Sequence, residues 1–464
     1  MPTDALEFPP EFVWGVASSS YQIEGAVAED GRAPSVWDDF SHTPGKIKTG
    51  DTGDVACDSY HRSAEDADLI AGLGAGAYRL SIAWPRVIPD GTGAINEPGL
   101  AYYDRVVDEL LERGVDPWIT LYHWDLPSAL HARGGWQNRD IVEWFADYTR
   151  AVVDRLSDRV SHWMTLNEPQ IFLGYGYGSG THAPGLQLSQ RDLLLATHHA
   201  LLAHGRACQV IREHAKKPPT IGWAPVGAVA CPATDDPADV EAARHDTFTI
   251  GHGGAGGNTW YADPVVLGHY PEDGLALYGD DAPKARAGDM DLICQPLDFY
   301  GVNIYSGGMT RAGRNGEDKA HWWAEPGGPV TCFGWPVRPQ ALYWGCRFIQ
   351  ERYKLPVYVT ENGLASMDWV HADGHVHDTG RIDFLARYLS EVRRAIGDGV
   401  DVRGYFQWSI LDNFEWAEGF RMRFGLVYVD YRTLERLPKD SYRWYAEAIR
   451  THGRSIPEVP AAVR

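Results

Sequence analysis

Leu100-Ala101-Tyr102-Tyr103-Asp104-Arg105-Val106-Val107-Asp108-Glu109-Leu110-Leu111-Glu112-Arg113 is followed, three residues on, by Pro117-Trp118-Ile119-Thr120-Leu121-Tyr122. In the first part Val106, Val107, Leu110 and Leu111 recur at helical spacing, with Arg105, Asp108, Glu109 and Glu112 on the other face. The second part is a short apolar run, as expected of a strand buried on both faces. An amphipathic helix feeding a wholly apolar strand is the unit of a parallel sheet with helices outside it.

The unit recurs along the chain. Apolar runs lie at Phe12–Val16, Ala77–Ile82, Pro117–Tyr122, His162–Leu166, Thr220–Ala224, Leu297–Asn303, Pro356–Thr360 and Val402–Trp408, which makes eight. Helical stretches lie between them, among them Leu100–Arg113, Ile141–Leu156, Leu193–Glu213, Gln340–Arg352, Arg381–Ile396 and Tyr442–Arg450. Eight such units predict a single (β/α)8 barrel domain over residues 1–464, with its core at about 8–450. A doubly wound sheet is the alternative, but it calls for a Gly-rich phosphate loop after an early strand. The Gly cluster Gly253-Gly254-Ala255-Gly256-Gly257 lacks that spacing and follows no strand, so it reads as a flexible loop. No short-period repeat and no Ser/Gly linker divides the chain.

Composition narrows the function. Hydrophobic residues are 44% and charged residues 23%, values that exclude a disordered or fibrous chain. Lys+Arg 42 against Asp+Glu 63 gives −21, which repels phosphate backbones and anionic bilayers. Nucleic acid and membranes are therefore not expected as partners. No apolar run reaches ~18 residues, and the start Met1-Pro2-Thr3-Asp4-Ala5-Leu6-Glu7 has neither a basic nor an apolar leader region. A soluble cytoplasmic protein is expected. The cysteines Cys57, Cys208, Cys231, Cys294, Cys332 and Cys346 are scattered, form no CxxC, and are expected reduced and mostly buried. The 18 Trp suit either a large aromatic core or a pocket that stacks on flat or sugar-like ligands.

Reactive side chains of such barrels sit at the carboxyl ends of the strands. Those ends offer Gln22 beyond the first, Arg79 on the second, His123-Trp124 after the third and Asn167-Glu168 after the fourth. The sixth gives Asn303 and Tyr305, the seventh Glu361-Asn362, and the eighth Trp408 followed by Glu415-Trp416. Glu168 and Glu361 would thus project into one mouth, where apolar walls and neighbouring charges perturb their pKa values. Two facing carboxylates suit glycoside hydrolysis, one as acid and the other as nucleophile or base. A salt-bridged structural pair is the competing reading, and the Trp, His, Asn and Gln neighbours favour sugar chemistry over it. Whether the reaction retains or inverts depends on the carboxylate separation, which spacing does not give. His198-His199 and His204 form no HExxH, Ser18-Ser19-Ser20 has no GxSxG context, and His371, His375 and His377 read as a solvated loop. No metal and no cofactor are expected.

At these residues the chain resembles glycoside hydrolase family 1, the β-glucosidases and their relatives, from about Phe8 to Ile449. The resemblance rests on Phe12-Val13-Trp14-Gly15 through Tyr21-Gln22-Ile23-Glu24-Gly25, on Tyr78-Arg79-Leu80-Ser81-Ile82-Ala83-Trp84-Pro85-Arg86 and on Leu121-Tyr122-His123-Trp124-Asp125-Leu126-Pro127. It continues in Thr165-Leu166-Asn167-Glu168-Pro169, Thr360-Glu361-Asn362-Gly363 and Trp408-Ser409-Ile410-Leu411-Asp412-Asn413-Phe414-Glu415-Trp416. The resemblance implies a retaining β-glucosidase with Glu168 as acid/base and Glu361 as nucleophile. Arg79 and Tyr305 would hold the nucleophile ionised and oriented, with Asn303 in support. Gln22, His123, Asn167 and Glu415 would bind the sugar hydroxyls, with Trp408 under the ring, Trp416 at its upper hydroxyls and Trp335 on the aglycone side. Trp124 reads as a wall of the pocket.

The implied substrates are small β-glucosides and short β-linked oligosaccharides, with β-fucosides and β-galactosides also accepted and a role in cellulose degradation. Three alternatives stand beside this: a 6-phospho-β-glycosidase, against which Glu415-Trp416-Ala417 argues; a transglycosidase; and a non-catalytic carbohydrate-binding relative, against which the presence of both glutamates argues. Gln170 after Asn167-Glu168-Pro169 and Gln407 before Trp408 depart from the family pattern.

Overall fold

The computed structural model describes residues 7–251, 257–313 and 327–459. Residues 253–256 of the Gly cluster and the opening segment 1–6 lie outside the described residues.

Eight parallel strands form one sheet: β1 (Val13–Ala17), β2 (Ala77–Ser81), β3 (Asp116–Tyr122), β4 (His162–Asn167), β5 (Thr220–Ala224), β6 (Tyr300–Asn303), β7 (Val357–Asn362) and β8 (Val402–Trp408). The hydrogen-bonded order is β5-β4-β3-β2-β1-β8-β7-β6. The remaining seam, β5 to β6, is stitched at both ends. Asp298 N–H donates to Ile221 O at 2.8 Å and Asn303 N–H to Pro225 O at 3.0 Å. The eight apolar runs are these eight strands, and the sheet curls into the expected (β/α)8 barrel.

The differences are local. The sixth strand is shorter than Leu297–Asn303 because the Asp298 carboxylate, not a backbone carbonyl, takes the Ile221 N–H at 2.7 Å. The seventh is longer, so Glu361 and Asn362 are part of the strand. In the helix Glu97–Glu112, Val106, Val107 and Leu110 are buried but Leu111 is exposed. The apolar stripe is narrower than the sequence pattern suggested. Two small sheets were not anticipated. Val229–Pro232 pairs in parallel with Gly307–Thr310, and Val427–Asp430 forms an antiparallel pair with Glu435–Pro438.

The core has two layers. A large cluster joins the outer strand faces to the helices, while Ala17, Ala77, Trp118, Met164, Ala224, Phe299, Phe406 and Trp408 fill the barrel interior. Large rings there require small neighbours. A Cβ on Gly15 would meet the Phe406 ring at 2.4 Å, and one on Gly222 the Phe299 ring at 2.4 Å. The six cysteines are free; Cys332 is exposed and Cys294 half-buried. Among the described residues no helix is long and apolar enough to cross a membrane.

Candidate active site

A cleft of about 840 Å³ opens at the carboxyl ends of the strands. Glu168, Asn303, Tyr305, Glu361, His123, Trp408, Glu415, Trp416, Trp124 and Trp335 all line it. Arg79, Gln22 and Asn167 sit just behind that wall, almost wholly buried, each bonded to a residue that lines it.

The floor is built from β2, β4, β6 and β7. Arg79 Nη1 donates to Glu361 Oε1 at 2.6 Å and to Thr360 O at 3.0 Å, and its Nη2 donates to Asn167 Oδ1 at 2.6 Å. Its Nε is held by Thr120 Oγ1 at 3.1 Å. Asn303 lies opposite Glu361 in the ladder. Its Nδ2 donates to Glu168 Oε1 at 2.9 Å and to Asn167 Oδ1 at 3.0 Å, while Thr360 Oγ1 donates to its Oδ1 at 2.7 Å. Tyr305 Oη donates to Glu361 Oε2 at 2.7 Å. Both glutamates therefore have fixed positions on a rigid frame. Neither Thr120 nor Thr360 stands out in the sequence, because a β-branched residue in a strand is ordinary.

The two carboxyls differ electrostatically. Burial, then the charge of Glu361, pushes Glu168 well above the ordinary carboxylate range, against the single Asn303 hydrogen bond. Burial also raises Glu361, but the Arg79 guanidinium and the Tyr305 hydroxyl pull it back. Of the pair, Glu361 is the one to ionise and Glu168 the one to keep a proton. Apolar walls and a neighbouring charge both act on Glu168, as its place in the mouth suggested, with desolvation as the larger cause.

The sugar-sized inner end is aromatic and amide-rich. The His123 ring is near parallel to Trp408 (16°) and Trp416 (19°). Trp124 packs on Trp416 at 4.4 Å and donates to Asn167 O at 2.9 Å, which makes it the wall it was read to be. Burial, then Arg79, lowers His123 well below its ordinary value, so it is neutral. Its Nε2 accepts from Asn167 Nδ2 at 3.0 Å, which puts the ring proton on Nδ1, and among the described residues no group engages Nδ1. Gln22 is already engaged by Ser19, Asn413 and Phe414.

Burial, then Glu361, raises Glu415 to about 8, with only a 3.4 Å bond from Gln22 to offset it. At neutral pH Glu415 therefore carries a proton, where the sequence suggested a carboxylate. Trp124, Glu168 and Trp416 have φ of 80°, 46° and 48°, a left-handed backbone that bulky residues adopt only when surroundings enforce it. The loop bearing Glu415 is pinned below by Asp412, which accepts from Lys439 Nζ at 2.7 Å and Arg423 Nη1 at 2.6 Å.

The outer cleft is where sequence reasoning missed most. Phe333 stacks on Trp335 (4.5 Å, 10°), and Tyr175, His182, Lys46, Lys48 and Glu418 also line the mouth. They come from separate loops, and no strand pattern announces them. Of the departures, Gln170 clasps Val226 through both backbone groups, at 3.3 and 3.2 Å, and Gln407 donates to Trp408 O at 2.8 Å. His198 turns to Asp289 and Tyr270, His199 to Trp136 O and His204 to Thr165. His377 bonds Asp373 and Asp440. Among the described residues no group of three His, Cys, Asp or Glu is arranged to hold a metal ion.

Comparison with known proteins places the chain. A 1,4-β-D-glucan glucohydrolase of Thermotoga neapolitana is 45% identical over 455 residues, covering 96% of this chain and 99% of its own. A bifunctional β-D-glucosidase/β-D-fucosidase of Bifidobacterium breve is 42% identical over 472 residues, covering 96% and 98%. The structure of a β-glucosidase from Thermotoga maritima in complex with glucoimidazole superposes with a TM-score of 0.88 at 44% identity, covering 97% of this chain and 99% of that one. With a family profile matching residues 5–454 as well, the chain belongs to glycosyl hydrolase family 1.

Proposed function

We propose that this protein is a retaining β-glucosidase that removes terminal non-reducing β-D-glucosyl residues through a covalent glycosyl-enzyme. One observation carries the reading: two buried carboxyls face one cleft, one held as an anion by Arg79 and the other left to keep its proton. Glu361 attacks the anomeric carbon while Glu168 protonates the departing oxygen. The new ester removes the charge that raised Glu168. Glu168, left ionised by the proton transfer, takes a proton from the water that attacks the anomeric carbon and releases Glu361, restoring both groups.

His123 Nδ1 is a donor for a sugar hydroxyl, Asn167, its Oδ1 taken by Arg79 and Asn303, keeps one Nδ2 hydrogen for the 2-hydroxyl, and Trp408 offers its face to the ring. Glu415 and Trp416 receive the 4- and 6-hydroxyls. Trp335 and Phe333 flank the aglycone. Gln22 acts by holding Glu415, since its own groups are engaged. The relatives' names support glucosides first, with fucosides beside them. Small aryl β-glucosides and short β-linked oligosaccharides are the substrates, consistent with a place in cellulose breakdown inside the cell.

Glu361→Gly tests the assignment. Hydrolysis should be abolished, and azide should restore turnover with formation of the α-glycosyl azide, because the small anion enters from the vacated face. A β-azide product, or near-normal turnover without azide, contradicts the role.

A further inference from the structure

The charges along the cleft are not evenly placed. Its floor holds Glu168, Glu361 and Glu415, whereas its mouth carries Lys46 and Lys48, two of only eight lysines in a chain of net charge −21. Lys48 is spoken for: its Nζ lies 2.5 Å from Glu418, whose other oxygen lies 2.8 Å from Arg421. Lys46 has no ion pair among the described residues. It is exposed, follows a short turn closed by Lys46 N–H on Thr43 O at 3.2 Å, and rests its ammonium 5.3 Å from the Phe40 ring centre at the cleft rim. The cleft, at about 840 Å³, has room for an aglycone well beyond the glucosyl unit on its floor.

We propose that the mouth accepts β-glucosides whose aglycone ends in an anionic group, with Lys46 as the cation that receives it. The inference rests on the β-glucosidase reading and adds a substrate class to it. A neutral sugar occupies the floor, and the anion lies at the far end, away from Glu361 and beside an ammonium that no carboxylate among the described residues neutralises. An exposed ion pair of this kind is worth roughly a two- to fivefold preference. It should shrink as salt rises.

Two compounds test it, 4-O-β-D-glucosyl gluconate and 4-O-β-D-glucosyl glucitol. They share the same leaving oxygen and differ only in a carboxylate against a hydroxymethyl group. The ratio of their kcat/KM values within one enzyme preparation cancels any loss of folded protein. At low ionic strength the wild-type ratio should be about three. It should fall to one or below in Lys46→Gln and recover in Lys46→Arg. A wild-type ratio of one or less, or the same ratio in Lys46→Gln as in the wild type, overturns the proposal. A third compound, the glucitol with a phosphate on its far carbon, separates the two sources of charge. A gain above that of the gluconate supports phosphate as the anion read, and a smaller gain supports carboxylate. If neither parent compound is cleaved, the β-glucosidase reading itself fails. If both are cleaved at a ratio of one, only the Lys46 inference does.

Discussion

Arg79→Met isolates what the guanidinium does for Glu361. Arg79 is 1% exposed, and three of its four hydrogen bonds reach Glu361, Thr360 O and Asn167. Methionine roughly fills its space without a charge. At a charge separation of about 4 Å and an effective dielectric near 20, the lost attraction is of order 4 kcal/mol. The Tyr305 bond at 2.7 Å survives and offsets part of it. Glu361 must be ionised to attack, and burial already raises its pKa. Losing Arg79 raises it further, so the acid limb of kcat/KM moves to higher pH. Arg79 also lowers Glu168, so the alkaline limb moves up with it. At pH 6 activity on an aryl β-glucoside should fall about a hundredfold, with partial recovery at pH 9. Arg79→Lys retains a cation and should move the limb much less than Arg79→Met. The assay is a pH profile of kcat/KM for the three enzymes, with a thermal melt to confirm folding. A pH-independent loss in Arg79→Met, with the acid limb unmoved, would refute the electrostatic role and leave Arg79 as a structural brace.

Glu168→Ala should slow cleavage of cellobiose by ~10²–10⁴-fold, since an alkoxide needs a proton to leave, whereas an activated aryl glucoside should still form the glycosyl-enzyme and then stall; equal first-step losses on both contradict the acid role. Glu415→Gln should be more heat-stable than the wild type at pH 9 and similar at pH 5. The reason is linkage: a carboxyl raised to about 8 makes the folded state lose stability as pH climbs from the ordinary carboxylate range through that value, and an amide does not titrate. The same variant should lose activity on glucosides, and equal melting temperatures at pH 9 would refute the raised value. A 6-phosphoglucoside should be cleaved at least a hundredfold more slowly than its neutral parent, because no free cation lines the floor among the described residues to receive a dianion. With Glu415 protonated near pH 7, that discrimination should grow as pH rises past 8; a ratio that falls with pH, or a preference for the phosphate, overturns it.

The barrel was legible because each strand is buried on both faces, so an apolar run with a polar end marks it without any periodicity. Glu168, Glu361 and Asn303 were legible for the same reason, each standing at the end of such a run where the fold directs side chains into one mouth, and Arg79 as a charge in the middle of an otherwise apolar strand. Trp335 was not readable that way and came from resemblance alone. Phe333, Tyr175, His182 and Lys46 were missed because their loops approach the cleft only after the barrel closes. Protonation was also hidden. Glu415 looks like a carboxylate in sequence, and only its burial with one weak donor makes it an acid. Leu111 shows the converse failure, where helical spacing put a residue on the buried face that the packing left in solvent.

One cation and two carboxyls on the floor explain how two chemically identical residues take different roles and then exchange charge. Arg79 supports one anion. In the resting site that anion is Glu361, joined to Arg79 at 2.6 Å, and a second negative charge on Glu168 would be buried without a partner of its own. When Glu361 becomes an ester, the repulsion on Glu168 vanishes and the positive charge of Arg79 is left uncompensated. Both changes favour ionised Glu168, at the step where a base is needed to activate water. Asn303 sits between them. It is locked by Thr360 and donates to Glu168 Oε1, so the carboxyl that gains the charge already has a hydrogen bond to receive it. The floor thus remains near neutral through the cycle. The alternation of acid and base follows from the position of a single guanidinium, which is why moving that charge should displace the whole pH profile and not merely lower it.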